Sequence, residues 1–171
     1  MEKPSTARIA LKWGIITSIL IIVYSVVLFI TGWFKMPSLS WVTFLLLLIG
    51  LFLGIKEFKS ENNDFMNFGE GLGVGTLLSA ITGLVASIFS YIYMNFIDTT
   101  IMQQMKDMQI EQMEAQGLSS EQIDQAMEIG AKFTSPGLTF IFGIIGYVLF
   151  GFLLSLIVSA ILKKTKPELE F

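Results

Sequence analysis

The sequence predicts an all-α integral membrane protein: a four-helix bundle with an extracytoplasmic helical hairpin between its third and fourth helices. Three observations lead there. Residues 13–34, 38–55, 71–97 and 137–162 carry no charged side chain. A membrane-crossing helix needs about 20 apolar residues, within a range of roughly 17–25. The chain is 53% apolar and 15% charged, well below the roughly 25% charge of soluble domains. One longer polar stretch, residues 98–136, carries helical rather than strand-like patterning.

The first span is expected over about 12–33. Lys3, Arg8 and Lys12 precede it, as in a signal peptide. Its apolar run exceeds the roughly 7–15 residues of a signal core, and no small-residue cleavage site follows. It reads as an uncleaved anchor, with cleavage after Gly32 as the rival. The second span is expected over about 38–56, the third over 70–97 and the fourth over 137–162, all within one membrane domain of residues 1–171.

Lys and Arg set orientation. Lys3, Arg8, Lys12, Lys56, Lys59, Lys163, Lys164 and Lys166 fall on one side; Lys35, Lys106 and Lys132 fall on the other. That bias places both termini in the cytoplasm, in a bacterial cytoplasmic (inner) membrane. Trp13 then sits at the inner boundary, and Trp33 and Trp41 at the outer one, where aromatic belts form.

The stretch "NFGEGLGVG" opens the third span. Asn67 as N-cap puts Glu70 at N3, the spacing of a capping box. A carboxylate in the first turn also suits the helix dipole. The competing reading makes Glu70 an intramembrane proton carrier. Its place at the end of the apolar run, not its middle, favours the cap.

Gly71, Gly75, Ser79, Gly83 and Ser87 then recur at every fourth residue. On a helix they form one ridge of small side chains, which allows close backbone approach where no hydrophobic drive exists. Gly69 and Gly73 make a neighbouring pair. Gly151, Ser155 and Ser159 repeat the spacing on the fourth span, as do Gly50 and Gly54 on the second and Gly14 and Ser18 on the first. The ridge predicts a tightly packed helix, with either the fourth span or another chain as its partner. Glycines at a helix start also suit the unwound ion sites of transporters. No span here contains a mid-span Pro or charge.

The polar stretch 98–136 reads as two helices, about 99–116 and 120–133, with Gly117 ending the first. Ser119 and Gln122 form a second capping box, stapled by Leu118 and Ile123. Ile101, Met105 and Met108 on one helix, and Ile123, Ala126, Met127 and Gly130 on the other, make narrow apolar faces. Seven acidic residues against two lysines leave this hairpin negative. Met102, Met105, Met108 and Met113 are soft thioethers able to select Cu(I). They serve equally as adaptable contact residues, the reading preferred here.

Composition narrows function. The chain has no Cys and no His, which removes thiol chemistry and the commonest general base and metal ligand. The net charge of -3 gives no basis for nucleic-acid binding. No catalytic, cofactor-binding or metal residue is assigned, and no cofactor is expected.

Residues 54–98, "GIKEFKSENNDFMNFGEGLGVGTLLSAITGLVASIFSYIYMNFID", resemble the bacterial membrane family catalogued as domain of unknown function 4199. Gly54, Ile55, Lys56, Phe58, Lys59, Phe68, Gly69, Glu70, Val74 and Gly75 carry the resemblance. Asn67 replaces the usual Ser, and Asn63 and Asp64 stand where glycines are usual. The resemblance implies a small four-helix membrane protein with no assigned activity. Tolerance of Lys at the position of Glu70 in that family weakens a proton role there.

The combined expectation is an uncharacterised multi-pass, non-enzymatic interaction or structural protein. Its partners would be the lipid bilayer and a second copy or a membrane protein, met through the ridge or the hairpin. The alternatives are a small transporter or channel component and, further off, a methionine-based Cu(I) binder.

Overall fold

The computed structural model describes residues 4–165, so Lys3 and Lys166, two of the cations used for orientation, lie outside the described residues. Helix α1 spans Thr6–Thr31. A 3₁₀ turn at Trp33–Lys35 leads to α2, Pro37–Glu61. Helix α3, Phe68–Ile92, runs on into a π-helical turn, Tyr93–Ile97. Two shorter helices, α4 (Thr100–Ala115) and α5 (Ser120–Phe133), precede α6, Pro136–Leu162.

Four of these helices are long and apolar enough to cross a membrane: Thr6–Thr31, Pro37–Glu61, Phe68–Ile97 and Pro136–Leu162. Their outward faces are as apolar as their cores. Ile30 and Ile161, for example, are 74% and 72% exposed. A helix that is hydrophobic all round belongs in lipid or a deep core.

Helix α1 starts earlier than its apolar run. Ser5 accepts a hydrogen bond from the Arg8 amide at 3.3 Å, so the helix includes Arg8 and Lys12. Helix α2 likewise extends past its apolar run to Glu61. There the two charged ends meet. Lys12 Nζ lies 2.7 Å from Glu57, the Trp13 indole N–H donates to the same carboxylate at 2.9 Å, and Arg8 pairs with Glu61.

Two turns need backbone in the left-handed region. Gly32 ends α1 with φ 72°. Between α2 and α3, Asn63 (φ 59°) and Asp64 (φ 61°) both adopt it. Asn and Asp tolerate this region better than other side-chain-bearing residues. The turn therefore has a backbone that glycines would also take, although neither residue is Gly. Met66 and Lys164 then exchange two backbone hydrogen bonds of 2.8 Å, which ties this turn to the end of α6.

Helix α3 is the hub, packing on α6, α1 and α2. Ile9, Ile55, Phe58, Met66, Val74 and Val158 form a core near the described chain ends. Ala10, Leu47, Leu51 and Leu78 form a second core, with Tyr147 against it.

Candidate functional site

The five ridge residues of α3 are all buried. Opposite them stand five residues of α6, also four apart. Gly71 faces Ser159, Gly75 faces Ser155, Ser79 faces Gly151, Gly83 faces Tyr147, and Ser87 faces Gly143. Each step of four along α3 is a step of four back along α6, so the helices run antiparallel in a fixed register. A methyl added to Gly71 would come 2.7 Å from Ser159 Oγ, and one on Gly83 2.6 Å from Tyr147 Cβ. In all five pairs glycine stands on one side and a larger residue fills its space from the other. Van der Waals contact at this range supplies the attraction that lipid-exposed helices otherwise lack.

The other glycines flagged on the spans sort by helix face. Gly14 packs on Ile81, Gly50 on Thr17, and Gly54 on Leu78 and Trp13. Gly73 meets nothing within 4 Å, and Gly69 only Asn67 Oδ1 at 3.6 Å, so this second pair faces away from the bundle.

Buried hydroxyls mostly turn back on their own helices. Ser79 donates to Gly75 O at 2.9 Å, Ser155 to Gly151 O at 2.5 Å and Ser18 to Ile15 O at 2.8 Å. Thr82 instead crosses to Gly14 O on α1 at 3.2 Å. Half-buried Thr76 donates to Leu72 O at 2.8 Å. Thr82 thus faces α1, while Ser79 and Tyr147 lie in the α3–α6 seam, and these side chains line no common path. Ser159 Oγ is buried with no hydrogen-bond partner among the described residues.

Both sets of capping residues come together. Asn67 Oδ1 accepts the Glu70 amide, and Glu70 Oε2 accepts the Asn67 amide, each at 2.8 Å. Ser119 Oγ accepts the Gln122 amide at 3.4 Å, and Gln122 Oε1 accepts the Ser119 amide at 2.9 Å. Gly117 (φ 81°) ends α4, where the Leu118 amide reaches Met113 O and the Gly117 amide reaches Glu114 O. This paired closure is the Schellman motif.

Two clefts lie where the seam opens toward the hairpin. One, of about 170 Å³, sits beyond Ser87 and Gly143, between the π turn and the start of α6, and is lined by Ser90, Asn95, Phe140 and Tyr147. The other, of about 410 Å³, runs along the hairpin and is lined by Met102, Met105, Met127, Gly130 and Thr134. Met102 and Met105 therefore share a groove with Met127, whereas Met108 and Met113 are not on its wall. These are the thioethers placed to meet a soft cation or an apolar group. Among the described residues, no three carboxylates gather as metal ligands would.

Sequence reasoning missed two members of the seam, Gly143 and Tyr147. Gly143 continues the four-residue spacing from Gly151 and was detectable. Tyr147 was not, because a large aromatic breaks a small-residue pattern and fits only because Gly83 stands opposite.

Four apolar spans around a zippered α3–α6 pair, with a polar helical pair at one end, define a multi-pass membrane protein. The family described as "Protein of unknown function (DUF4199)" matches residues 12–164, and the chain belongs to that family. No curated protein matches the chain, and no solved structure matches it.

Proposed function

We propose that this chain is a non-enzymatic interaction or structural protein of the bacterial cytoplasmic membrane, with both termini in the cytoplasm and the α4–α5 hairpin outside. The observation that carries this reading is the α3–α6 register. It spends the buried small and hydroxyl residues on helix contact and leaves Thr76, Ser79, Thr82 and Tyr147 without a shared polar lining. Absence of His and Cys from the sequence supports a non-catalytic role. The distribution of Lys and Arg supports the orientation. Among the described residues the acidic hairpin is the only sizeable piece outside the spans, and it is the surface offered to a partner.

Two measurements test this. The chain has no native Cys, so single-cysteine labelling is clean. Ser120→Cys should react with an impermeant maleimide in intact cells, and Ser60→Cys should not; labelling of Ser60→Cys overturns the orientation. Proteoliposomes of the purified chain should pass ions no faster than empty vesicles. A flux abolished by Tyr147→Phe would replace this reading with a transporter.

A further inference from the structure

The hairpin leaves an apolar surface uncovered at the place where the chain leaves and re-enters the spans. Ile129 and Phe133 of α5 are 59% and 57% exposed. They lie four residues apart, so they share one helix face. Phe96 and Ile97, in the π turn that ends the third span, are 73% and 63% exposed.

Chain connectivity fixes where these residues stand. Phe133 ends α5, and only Thr134 and Ser135 separate it from Pro136, where α6 begins. Three residues reach at most about 10 Å. Ile97 is itself the last residue of its span. Phe96, Ile97 and Phe133 therefore sit within a short reach of span ends, and Ile129 lies one helical turn, about 6 Å, further along α5.

The remaining faces of α5 agree with this placement. Ile123 is buried and Met127 half-buried, on the face turned to α4. Glu121, Asp124 and Glu128 are exposed at spacings of three and four, on a ridge roughly a third of a turn from Ile129 and Phe133. Exposed Lys132 lies between the acidic and apolar ridges, where a long cationic side chain can reach headgroup phosphates while its stem stays against lipid.

We propose that α5 lies in the membrane–water interface, with Ile129 and Phe133 seated in the lipid headgroup–acyl boundary beside Phe96, and with Glu121, Asp124 and Glu128 turned to water. The partner is the lipid bilayer. The inference rests on the four apolar helices crossing the membrane, and it holds whichever side the hairpin occupies. Docking of this kind would hold a short helix in one orientation and present its acidic ridge outward.

Nitroxide spin labels test the depth of each face in the full chain. Ile129→Cys, Phe133→Cys, Asp124→Cys and Glu128→Cys are labelled singly in phosphatidylcholine vesicles, after circular dichroism shows that each keeps the parent helicity. Collision with oxygen, which concentrates in lipid, is compared with collision with a water-soluble nickel chelate. Positions 129 and 133 should favour oxygen, and positions 124 and 128 should show the reverse. Equal nickel access at all four positions would mean a hairpin free in water and overturn the proposal. Low collision with both reagents at 129 and 133 would mean a protein covers them, and would overturn it too. Spin labels in mid-span, at Leu149→Cys, report separately whether the bundle is inserted.

Discussion

Gly83 lies against the side chain of Tyr147, so close that a methyl group on the glycine would come 2.6 Å from Tyr147 Cβ and 3.3 Å from the Ile144 carbonyl oxygen. One contact atom is backbone and the other is the root of a side chain, so neither can swing away. Gly83→Leu should destabilise the bundle by about 1–3 kcal/mol through overpacking. Ile88→Leu, at an exposed position, should be mild. Thermal unfolding in detergent separates them, and equal midpoints would show that position 83 is not at a helix contact.

Glycine has the opposite value two residues away from the ridge. Gly73 meets nothing within 4 Å, so Gly73→Ala should keep or raise stability, by up to about 1 kcal/mol from helix propensity. Gly75→Ala should lower it, because Ser155 occupies the space. If both substitutions have the same sign, the face assignment of α3 is wrong.

Ser159 offers a further check on the seam. Its buried hydroxyl has no partner among the described residues, and an unmet buried donor typically costs about 1–3 kcal/mol. Ser159→Ala should therefore be neutral or stabilising, whereas Ser159→Leu should destabilise by overpacking against Gly71. A loss of stability in Ser159→Ala, measured by the same melt, would mean that the hydroxyl makes a contact.

At the α2–α3 turn, Asn63 and Asp64 hold positive φ. Asn63→Gly and Asp64→Gly should be tolerated. Asp64→Val should cost about 1–2 kcal/mol, because a β-branched side chain is a steric outlier in this region, which Asp tolerates. Chemical denaturation in mixed micelles measures the difference, and a harmless Asp64→Val would contradict the turn geometry.

The hairpin helices touch the bundle little and should exchange amide protons faster than α3. Ser119→Ala should accelerate exchange in the first turn of α5, since such a cap contributes typically about 1 kcal/mol. Cu(I) under reducing conditions should leave this pattern unchanged. Strong protection around Met102, Met105 and Met127 at one equivalent of metal would instead show a soft-metal site in the groove they share.

What the sequence made legible were the local features. Asn67 with Glu70, and Ser119 with Gln122, are short-range patterns whose geometry is settled within one helical turn. Helix ends were less legible. Hydropathy reports depth in lipid, so it ended α2 near Lys56 although the helix continues to Glu61. The π turn at Tyr93–Ile97 carries no sequence signal, since one extra residue per turn leaves composition unchanged. The partner of the ridge was also hidden. Spacing of four defines a face, but only tertiary register shows that Gly151, Ser155 and Ser159 come to rest on it.

That register is open to one direct measurement. A β-carbon on Gly143 would stand 3.6 Å from Ser87 Cβ, within the usual disulfide range of about 3.5–4.5 Å. In a chain otherwise free of Cys, Ser87→Cys with Gly143→Cys should oxidise to a disulfide within one chain, migrating as a monomer in non-reducing gels. Ser87→Cys with Gly146→Cys, whose position meets nothing within 4 Å, should not. A disulfide-linked dimer from the first pair, or efficient closure of the second, would contradict the α3–α6 register and transfer the ridge to a contact between chains.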